Sequence, residues 1–284
     1  MTATQTARVV PFLPDDARHV QLLWSSPFDA TGLAQHLAAY PGRSLWVPET
    51  GEYAVGEPWR HRGIVTSVVD LLMRDGGRAL IDRLTDPAGG WSHELVVLTD
   101  FANTRRPEFY ASLGMTLFEE VNCYELDRLP PEPPTGSLRF ARADLRDAAT
   151  VDALLAIDHA SFPWLWWNTP EEFAAYRGVP GVELYLGRDA TGRALAYFGL
   201  THYRGWGHLD RIAVTSEVQG RGYGLESLRA AVAILAAAGA TRIGLSTQAT
   251  NIRSQQLYGR FGFRRTWQND YHVWGKPVAK SLSR

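Results

Sequence analysis

Gln219-Gly220-Arg221-Gly222-Tyr223-Gly224 places three glycines within five residues, between a strand-like run and a helix-like run. Apolar and β-branched residues of 209–214 precede this stretch, and apolar residues recur at helical spacing from Leu225 to Ala238. Glycine lets the backbone adopt positive φ and approach a ligand closely, while a helix N-terminus presents unpaired N–H groups. The stretch therefore predicts a strand-to-helix turn that can hold a phosphate group.

Two common nucleotide-binding loops do not fit this stretch. The chain contains no G-x-x-x-x-G-K-[ST] sequence, and a dinucleotide-binding fold carries its Gly-x-Gly-x-x-Gly after the first strand. The spacing in 219–224 is Gln-x-x-Gly-x-Gly, far from the start of the chain. An ordinary glycine-containing turn without a ligand is the alternative that the loop alone leaves open.

A second motif follows one helix and one strand later. Residues 251–263 read Asn-Ile-Arg-Ser-Gln-Gln-Leu-Tyr-Gly-Arg-Phe-Gly-Phe. In this order and spacing the two motifs resemble those of the GCN5-related N-acetyltransferase (GNAT) superfamily. The resemblance implies an acetyl-CoA-dependent N-acetyltransferase that needs no metal and transfers the acetyl group to a primary amine by direct attack. The alternative is a noncatalytic module that binds or senses acyl-CoA.

The resemblance also implies roles for individual residues. Backbone amides of the turn would bind the pyrophosphate, the preceding strand would pair with pantetheine, and Asn251 would hydrogen-bond the pantetheine amide. Tyr258 would protonate the departing thiolate, with core packing as the alternative for this side chain. The predicted cofactor-binding residues are Ile212, Ala213, Val214, Gln219, Gly220, Arg221, Gly222, Tyr223, Gly224, Asn251 and Ser254.

The acceptor amine must be neutral when it attacks, so a base or a water chain must take its proton. His208 and Asp210 lie two residues apart on the predicted strand, and their side chains therefore point to one face. The resemblance matches His208 to a residue that acts as base in some relatives, and Glu183 is a further candidate. The alternatives are a hydrogen-bonded strand histidine and an aspartate in a salt bridge.

An aromatic segment lies in the loop between two predicted helices of the second half. Residues 162–167 read Phe-Pro-Trp-Leu-Trp-Trp, with four aromatics in six positions. Acceptor sites of the superfamily often lie in this loop, and the alternative is that the rings fill the core. The predicted substrate-binding residues are Trp164, Trp166, Trp167 and Glu183.

Part of the chain is repeated. Residues 103–115 and 251–263 share Asn, Arg, Tyr and Gly at a constant offset of 251 − 103 = 148. We therefore predict an α/β fold of two tandem GNAT-like domains, each a mixed, mostly antiparallel sheet flanked by helices, with splayed central strands. The proline-rich segment 129–136 sets the boundary near residue 134. It separates a degenerate, structural domain, 1–134, from a catalytic domain, 135–284.

The first half should lack a coenzyme site. We expect a hairpin in 44–55 and helices over 64–74 and 78–84, so that segment 56–63 connects a strand to a helix. That segment lacks the Gln-x-x-Gly-x-Gly spacing and contains a proline, which has no N–H to donate. In the second half we expect segment 264–274 to complete the sheet.

Composition limits the remaining possibilities. The net charge is −1 and the sequence pI about 6.7, which disfavours binding to nucleic acid, including aminoacyl transfer from tRNA, and to anionic membranes. The single cysteine, Cys123, and the absence of a signal-peptide pattern favour a cytoplasmic protein. The acceptor would be a small amine or a peptide N-terminus, and the protein a monomer or homodimer.

Overall fold

The structure, a computed structural model, describes residues 8–74, 77–127 and 136–278. Its strands in chain order are β1 (Val10–Pro11), β2 (Leu45–Val47), β3 (Glu52–Trp59), β4 (Arg62–Leu72), β5 (Leu95–Phe101), β6 (Thr116–Leu126), β7 (Arg139–Arg142), β8 (Val182–Arg188), β9 (Ala194–Tyr203), β10 (Trp206–Val214), β11 (Arg242–Gln248), β12 (Arg264–Arg265) and β13 (Tyr271–Pro277). Its α-helices are α1 (Ala30–Ala39), α2 (Gly77–Leu84), α3 (Pro107–Ser112), α4 (Ala148–Ser161), α5 (Pro170–Tyr176), α6 (Tyr223–Ala237) and α7 (Ile252–Phe261).

The chain divides into two compact units. The first comprises the chain up to Glu120 together with the segment from Tyr271 onward, and the second comprises Val121–Asp270. These units differ from the predicted domains 1–134 and 135–284, because each takes a strand from beyond the predicted boundary. The boundary near residue 134 itself lies outside the described residues.

In the first unit, β1, β2, β3, β4, β5 and β13 are neighbours in that order, and only β4 and β5 run parallel. Apolar residues of α2 form one buried cluster with residues of these strands, and apolar residues of α1 form a second one. The prediction that 264–274 completes the sheet of the second half is wrong from Tyr271 on, because β13 pairs antiparallel with β5. In the repeat β13 corresponds to β6, so the strand pattern alone did not say which sheet it joins.

The predicted helix over 64–74 is also wrong, because these residues form most of β4, which pairs with β3. The run contains the β-branched residues Val65, Thr66, Val68 and Val69, which favour a strand. Segment 56–63 consequently contains the end of β3, the start of β4 and the hairpin turn between them, where Arg60 and His61 have φ 51° and 56°. The helix α2 instead begins at Gly77, after β4 has ended at Leu72. The hairpin of β2 and β3 and the helix over 78–84 are confirmed.

In the second unit, the strand order is β6, β11, β10, β9, β8, β7, and only β10 and β11 run parallel. Leucine, valine and alanine side chains of α6 pack with those of β10 and β11, forming one apolar cluster. Residues of α4 and α5 form another cluster with β8 and β9. The predicted mixed α/β fold, a mostly antiparallel sheet flanked by helices, is confirmed.

The two parallel strands of the second unit separate along their length. Their paired residues are 206–209 of β10 and 242–245 of β11, and the register gives no pair beyond Leu209. On its other edge β10 remains paired with β9 as far as Val214, with a register shift between Leu209 and Arg211. One edge of residues 210–214 therefore stays open where β10 approaches the glycine-rich turn.

Candidate functional site

A cavity of about 480 Å³ lies where the open edge of β10, the glycine-rich turn and α7 meet. It is assembled from chain segments that are far apart in sequence, and half of its polar side chains come from the turn and from the start of α7. The predicted site residues that line it are Ile212, Ala213, Val214, Gln219, Gly220, Gly224, Asn251, Ser254 and Tyr258.

The glycine-rich turn takes its shape from two left-handed residues. Gly220 has φ 82° and Gly222, the N-cap of α6, has φ 90°. A Cβ built on either glycine would meet no heavy atom within 4 Å, so the requirement for glycine comes from the backbone conformation and not from crowding. The first N–H groups of α6 follow immediately, and they provide donors for an anion. The predicted residues Arg221, Gly222 and Tyr223 belong to this turn but do not line the cavity.

The side chain of Gln219 holds the turn against the end of β10. Its Nε2 donates a hydrogen bond to the carbonyl oxygen of Val214 at 3.1 Å, and its Oε1 accepts one from Arg253. Asn251 is the N-cap of α7, with Oδ1 accepting from the N–H of Ser254 at 3.1 Å. This cap uses the acceptor of the Asn251 amide and leaves the Nδ2 donors for a ligand.

Tyr258 lies between the cavity and the core of the second unit. It lines the cavity, yet only 4% of its surface is exposed, and its ring packs near those of Tyr124 and Phe263, with centroids 6.2 and 6.0 Å away. Burial raises the pKa of Tyr258 to about 12, although a hydrogen bond with Ser254 lowers it in part. The phenol therefore keeps its proton at neutral pH and can act as a proton donor. The side chain of Tyr258 therefore packs in the core and also contacts the cavity.

The two candidate bases on β10 contact each other outside the cavity lining. The Nδ1 of His208 lies 2.6 Å from Oδ1 of Asp210, and Thr201 donates its hydroxyl hydrogen bond to Oδ2 at 2.6 Å. With the carboxylate accepting from Nδ1–H, the lone pair of the imidazole is on Nε2, as a base requires. Both side chains are about one-third exposed, at 28% and 37%.

A buried polar cluster beside these residues was not predicted. Asp158 of α4 is fully buried and accepts hydrogen bonds from Arg211 Nε at 2.8 Å, from the Asn168 N–H at 2.8 Å and from the hydroxyl of Tyr197. The guanidinium of Arg211 also donates to the carbonyl oxygen of Trp166 and lies 3.9 Å from the ring centroid of Phe162. Asp158 and Arg211 are separated by 53 positions in the sequence. No local sequence pattern therefore indicates that they form an ion pair.

The aromatic segment is held in place by this cluster. Trp166 is 7% exposed, and Trp167 stacks on His159 at 4.5 Å while its Nε1 donates to the carbonyl oxygen of Phe162 at 2.7 Å. Trp164 is 44% exposed. None of the three tryptophans lines the cavity, whereas the neighbouring Phe162 and Pro163 do.

Glu183, the remaining predicted acceptor residue, lies in a different groove. Its carboxylate pairs with Arg142 at 3.1 Å and accepts a hydrogen bond from the hydroxyl of Tyr185 at 2.7 Å. The groove lies between the α5–β8 loop and the segment after β7. The structure thus brings the predicted cofactor residues together more completely than the predicted acceptor residues.

Residues 8–74, 77–127 and 136–278 contain no cluster of three or more histidine, cysteine, aspartate or glutamate side chains arranged to hold a metal ion. Across the same part of the chain, every helix is too short or too polar to span a membrane.

Comparison with known proteins agrees with the fold. Residues 149–263 match the model of the acetyltransferase (GNAT) family, which confirms the predicted acyltransferase class for this part of the second unit. No curated protein matches the chain. A GCN5-related N-acetyltransferase from Sphaerobacter thermophilus is 15% identical, with TM-score 0.57, over 100% of this chain and 99% of its own.

Two other solved structures have the same fold. A tandem GNAT protein from the clavulanic acid biosynthesis pathway is 14% identical, with TM-score 0.62, over 96% of this chain and 99% of its own. A GCN5-related N-acetyltransferase from Kribbella flavida is 15% identical, with TM-score 0.52, over 86% of this chain and 92% of its own. At these identities the likeness concerns the fold.

Proposed function

We propose that the second unit is an acetyl-CoA-dependent N-acetyltransferase that acetylates a primary amine, either a small molecule or a peptide N-terminus. The observation that carries this proposal is the cavity itself, which joins the open edge of β10, the glycine-rich turn and Tyr258. These are the three parts that a thioester coenzyme requires: a backbone edge, a phosphate cradle and a proton donor for sulfur.

Coenzyme binding in this cavity would rest mainly on backbone groups. The N–H groups at the start of α6 would receive the pyrophosphate, because a helix N-terminus favours anions. The pantetheine arm would extend along residues 212–214 of β10, whose pairing with β11 has ended at Leu209. Asn251, through its Nδ2 donors, would hold a pantetheine carbonyl.

The chemistry then needs two proton transfers. The neutral amine attacks the acetyl carbonyl carbon, the carbon–sulfur bond breaks, and the electron pair of that bond goes to sulfur. Tyr258 gives its phenolic proton to this thiolate, which suits a group that stays protonated at neutral pH. His208, oriented by Asp210, would take the proton from the amine nitrogen on Nε2, directly or through a water.

The first unit should have no second site of this kind. In this unit β4 ends at Leu72 and α2 begins at Gly77, and after β4 the buried carboxylate of Glu52 accepts a hydrogen bond from the Arg74 N–H at 2.6 Å. A carboxylate in this position repels a phosphate. The side chain of Met73 also packs directly over Gly77, the first residue of α2. We therefore regard this unit as a degenerate copy.

Thiol release tests the proposal. The protein is incubated with acetyl-CoA and a panel of amines, and the Tyr258→Phe variant is compared with the parent. Tyr110→Phe is the matched control, because Tyr110 occupies the equivalent position of the repeat, is equally buried and bonds Asp100 at 3.0 Å. We expect turnover to fall at least tenfold in Tyr258→Phe and to be unchanged in Tyr110→Phe.

Two outcomes would contradict this expectation. A parent that binds coenzyme A but releases no thiol with any amine would indicate a noncatalytic acyl-CoA-binding module. Turnover that is equal in Tyr258→Phe and the parent would remove the proposed proton donor from the mechanism.

A further inference from the structure

Arg253 alone carries a charge among the described residues that line the cavity. It stands in the first turn of α7, where its side chain is exposed, and its guanidinium donates to Oε1 of Gln219. Because the Gln219 amide is itself bonded to Val214, the guanidinium is held at the beginning of the glycine-rich turn. A positive charge is thus held beside the first residue of the turn that leads into α6.

The internal repeat allows Arg253 to be compared with the equivalent arginine of the first unit. The equivalent residue of the first unit, Arg105, forms an ion pair with Asp100 and lies 5.0 Å from the ring centroid of Phe109. At the position equivalent to Asp100 the second unit has Gln248, which is neutral and lines the cavity. The arginine is thus neutralised by a carboxylate in one copy and has a neutral partner in the other.

From this contrast we propose that Arg253 binds the pyrophosphate of the coenzyme and is the charged group of a cradle otherwise built from backbone amides. The inference rests on the proposed function. A guanidinium has five N–H donors in a planar fork that matches phosphate oxygens, and the bond to Gln219 uses one of them. We assign the pyrophosphate rather than the 3′-phosphate because Gln219 begins the turn that leads into α6.

Calorimetric titration of the full-length protein tests the assignment. The ligands are coenzyme A, dephospho-coenzyme A, which lacks only the 3′-phosphate, and pantetheine, which has no phosphate and is measured by competition. Arg253→Gln should weaken both phosphate-bearing ligands by about the same factor, roughly tenfold, and leave pantetheine unchanged. Arg260→Gln, the same charge change at an exposed position later in α7, should change none of the three.

The outcomes separate this inference from the proposed function. Loss of affinity for coenzyme A alone would transfer Arg253 to the 3′-phosphate and overturn the assignment, as would equal behaviour of the Arg253 and Arg260 variants. A folded parent that binds none of the ligands would refute the proposed function, and this inference with it. If the parent binds and the loss is shared by the two phosphate-bearing ligands, the assignment of Arg253 stands, and thiol release decides the proposed function.

Discussion

Removing the carboxylate of Asp158 should destabilise the second unit more than any exposed charge substitution. The carboxylate has no exposed surface, and its partner Arg211 has a side chain that is only 9% exposed. Asp158→Ala would leave this guanidinium buried without its counter-ion, and would also leave the Asn168 N–H without its acceptor. Breaking one side of a buried pair costs about 3–5 kcal/mol, a large part of a typical domain stability of about 5–15 kcal/mol.

Urea unfolding followed by tryptophan fluorescence gives the measurement. With a denaturant slope of about 2 kcal/mol per molar urea, a loss of about 4 kcal/mol lowers the midpoint of the second unit by about 2 M. Glu217→Ala is the control, because Glu217 pairs with Arg193 on the surface with both side chains more than half exposed. Its midpoint should stay at the parent value.

A double-mutant cycle decides whether the pair itself is responsible. Arg211→Ala alone leaves the carboxylate unpaired, whereas the double variant removes both charges, so the double loss should be clearly smaller than the sum of the single losses. Additive losses, or a midpoint shift below about 0.5 M in Asp158→Ala, would refute the reasoning. Because Arg211 contacts Trp166 and Phe162, we also expect the aromatic segment 162–167 of Asp158→Ala to exchange its amide hydrogens faster than in the parent, and unchanged exchange would contradict this.

Three smaller predictions concern the turn, the cysteine and the tyrosine. Gly222→Val should weaken coenzyme binding at least tenfold in calorimetry, because a β-branched residue at φ 90° is strained. Gly259→Ala, in the last turn of α7, should bind as the parent does. Equal affinities of the two variants would exclude the turn from coenzyme binding. Burial raises the pKa of the Cys123 thiol to about 11. At pH 8 a thiol reagent should therefore label the native protein about 100-fold more slowly than the unfolded chain. Equal labelling rates would contradict the burial of the thiol. The pKa of Tyr258 is raised to about 12 from 10.0, so the contribution of this phenol to stability is complete below pH 10 and is lost as the pH rises towards 12. The difference in phenolate absorbance between the parent and Tyr258→Phe should therefore appear near pH 12. A midpoint near pH 10 would contradict the raised pKa.

The residues proposed to bind the coenzyme could be selected from the sequence because most of them lie in two short segments, each with its own pattern. Six consecutive residues, 219–224, define the turn, and the spacing from Asn251 to Tyr258 is fixed by one short helix. The surroundings of the residues proposed for the acceptor side depend instead on contacts between distant segments and on the register shift next to Asp210. Neither leaves a pattern along the chain, so the Asp158–Arg211 pair and the burial of Trp166 could not be predicted.

The errors in the fold have related causes. In β4, apolar and β-branched residues follow one another so closely that a helical and a strand pattern fit equally, and only pairing with β3 distinguishes them. The exchange of β6 and β13 follows from the repeat, since equivalent strands carry equivalent apolar patterns. A repeated sequence therefore predicts two copies of a sheet more reliably than it predicts which strand belongs to which copy.

The position of β6 in the second unit bears on which fragment of the chain can fold and bind the coenzyme. In β6, residues from Val121 to Leu126 pair with β11, and Tyr124 and Leu126 belong to the apolar cluster that contains Tyr258. Burying a large apolar side chain contributes about 1.5–3 kcal/mol, so losing both removes much of the stability of a domain.

A fragment of residues 135–284 should accordingly be unfolded or bind coenzyme A far more weakly than residues 121–270, as circular dichroism and calorimetry would show. The fragment 135–284, despite containing the turn and the second motif, lacks the strand that supports Tyr258. If 135–284 folds and binds the coenzyme as well as 121–270, the support from β6 is dispensable, and the sequence-based boundary is the better description of the catalytic domain.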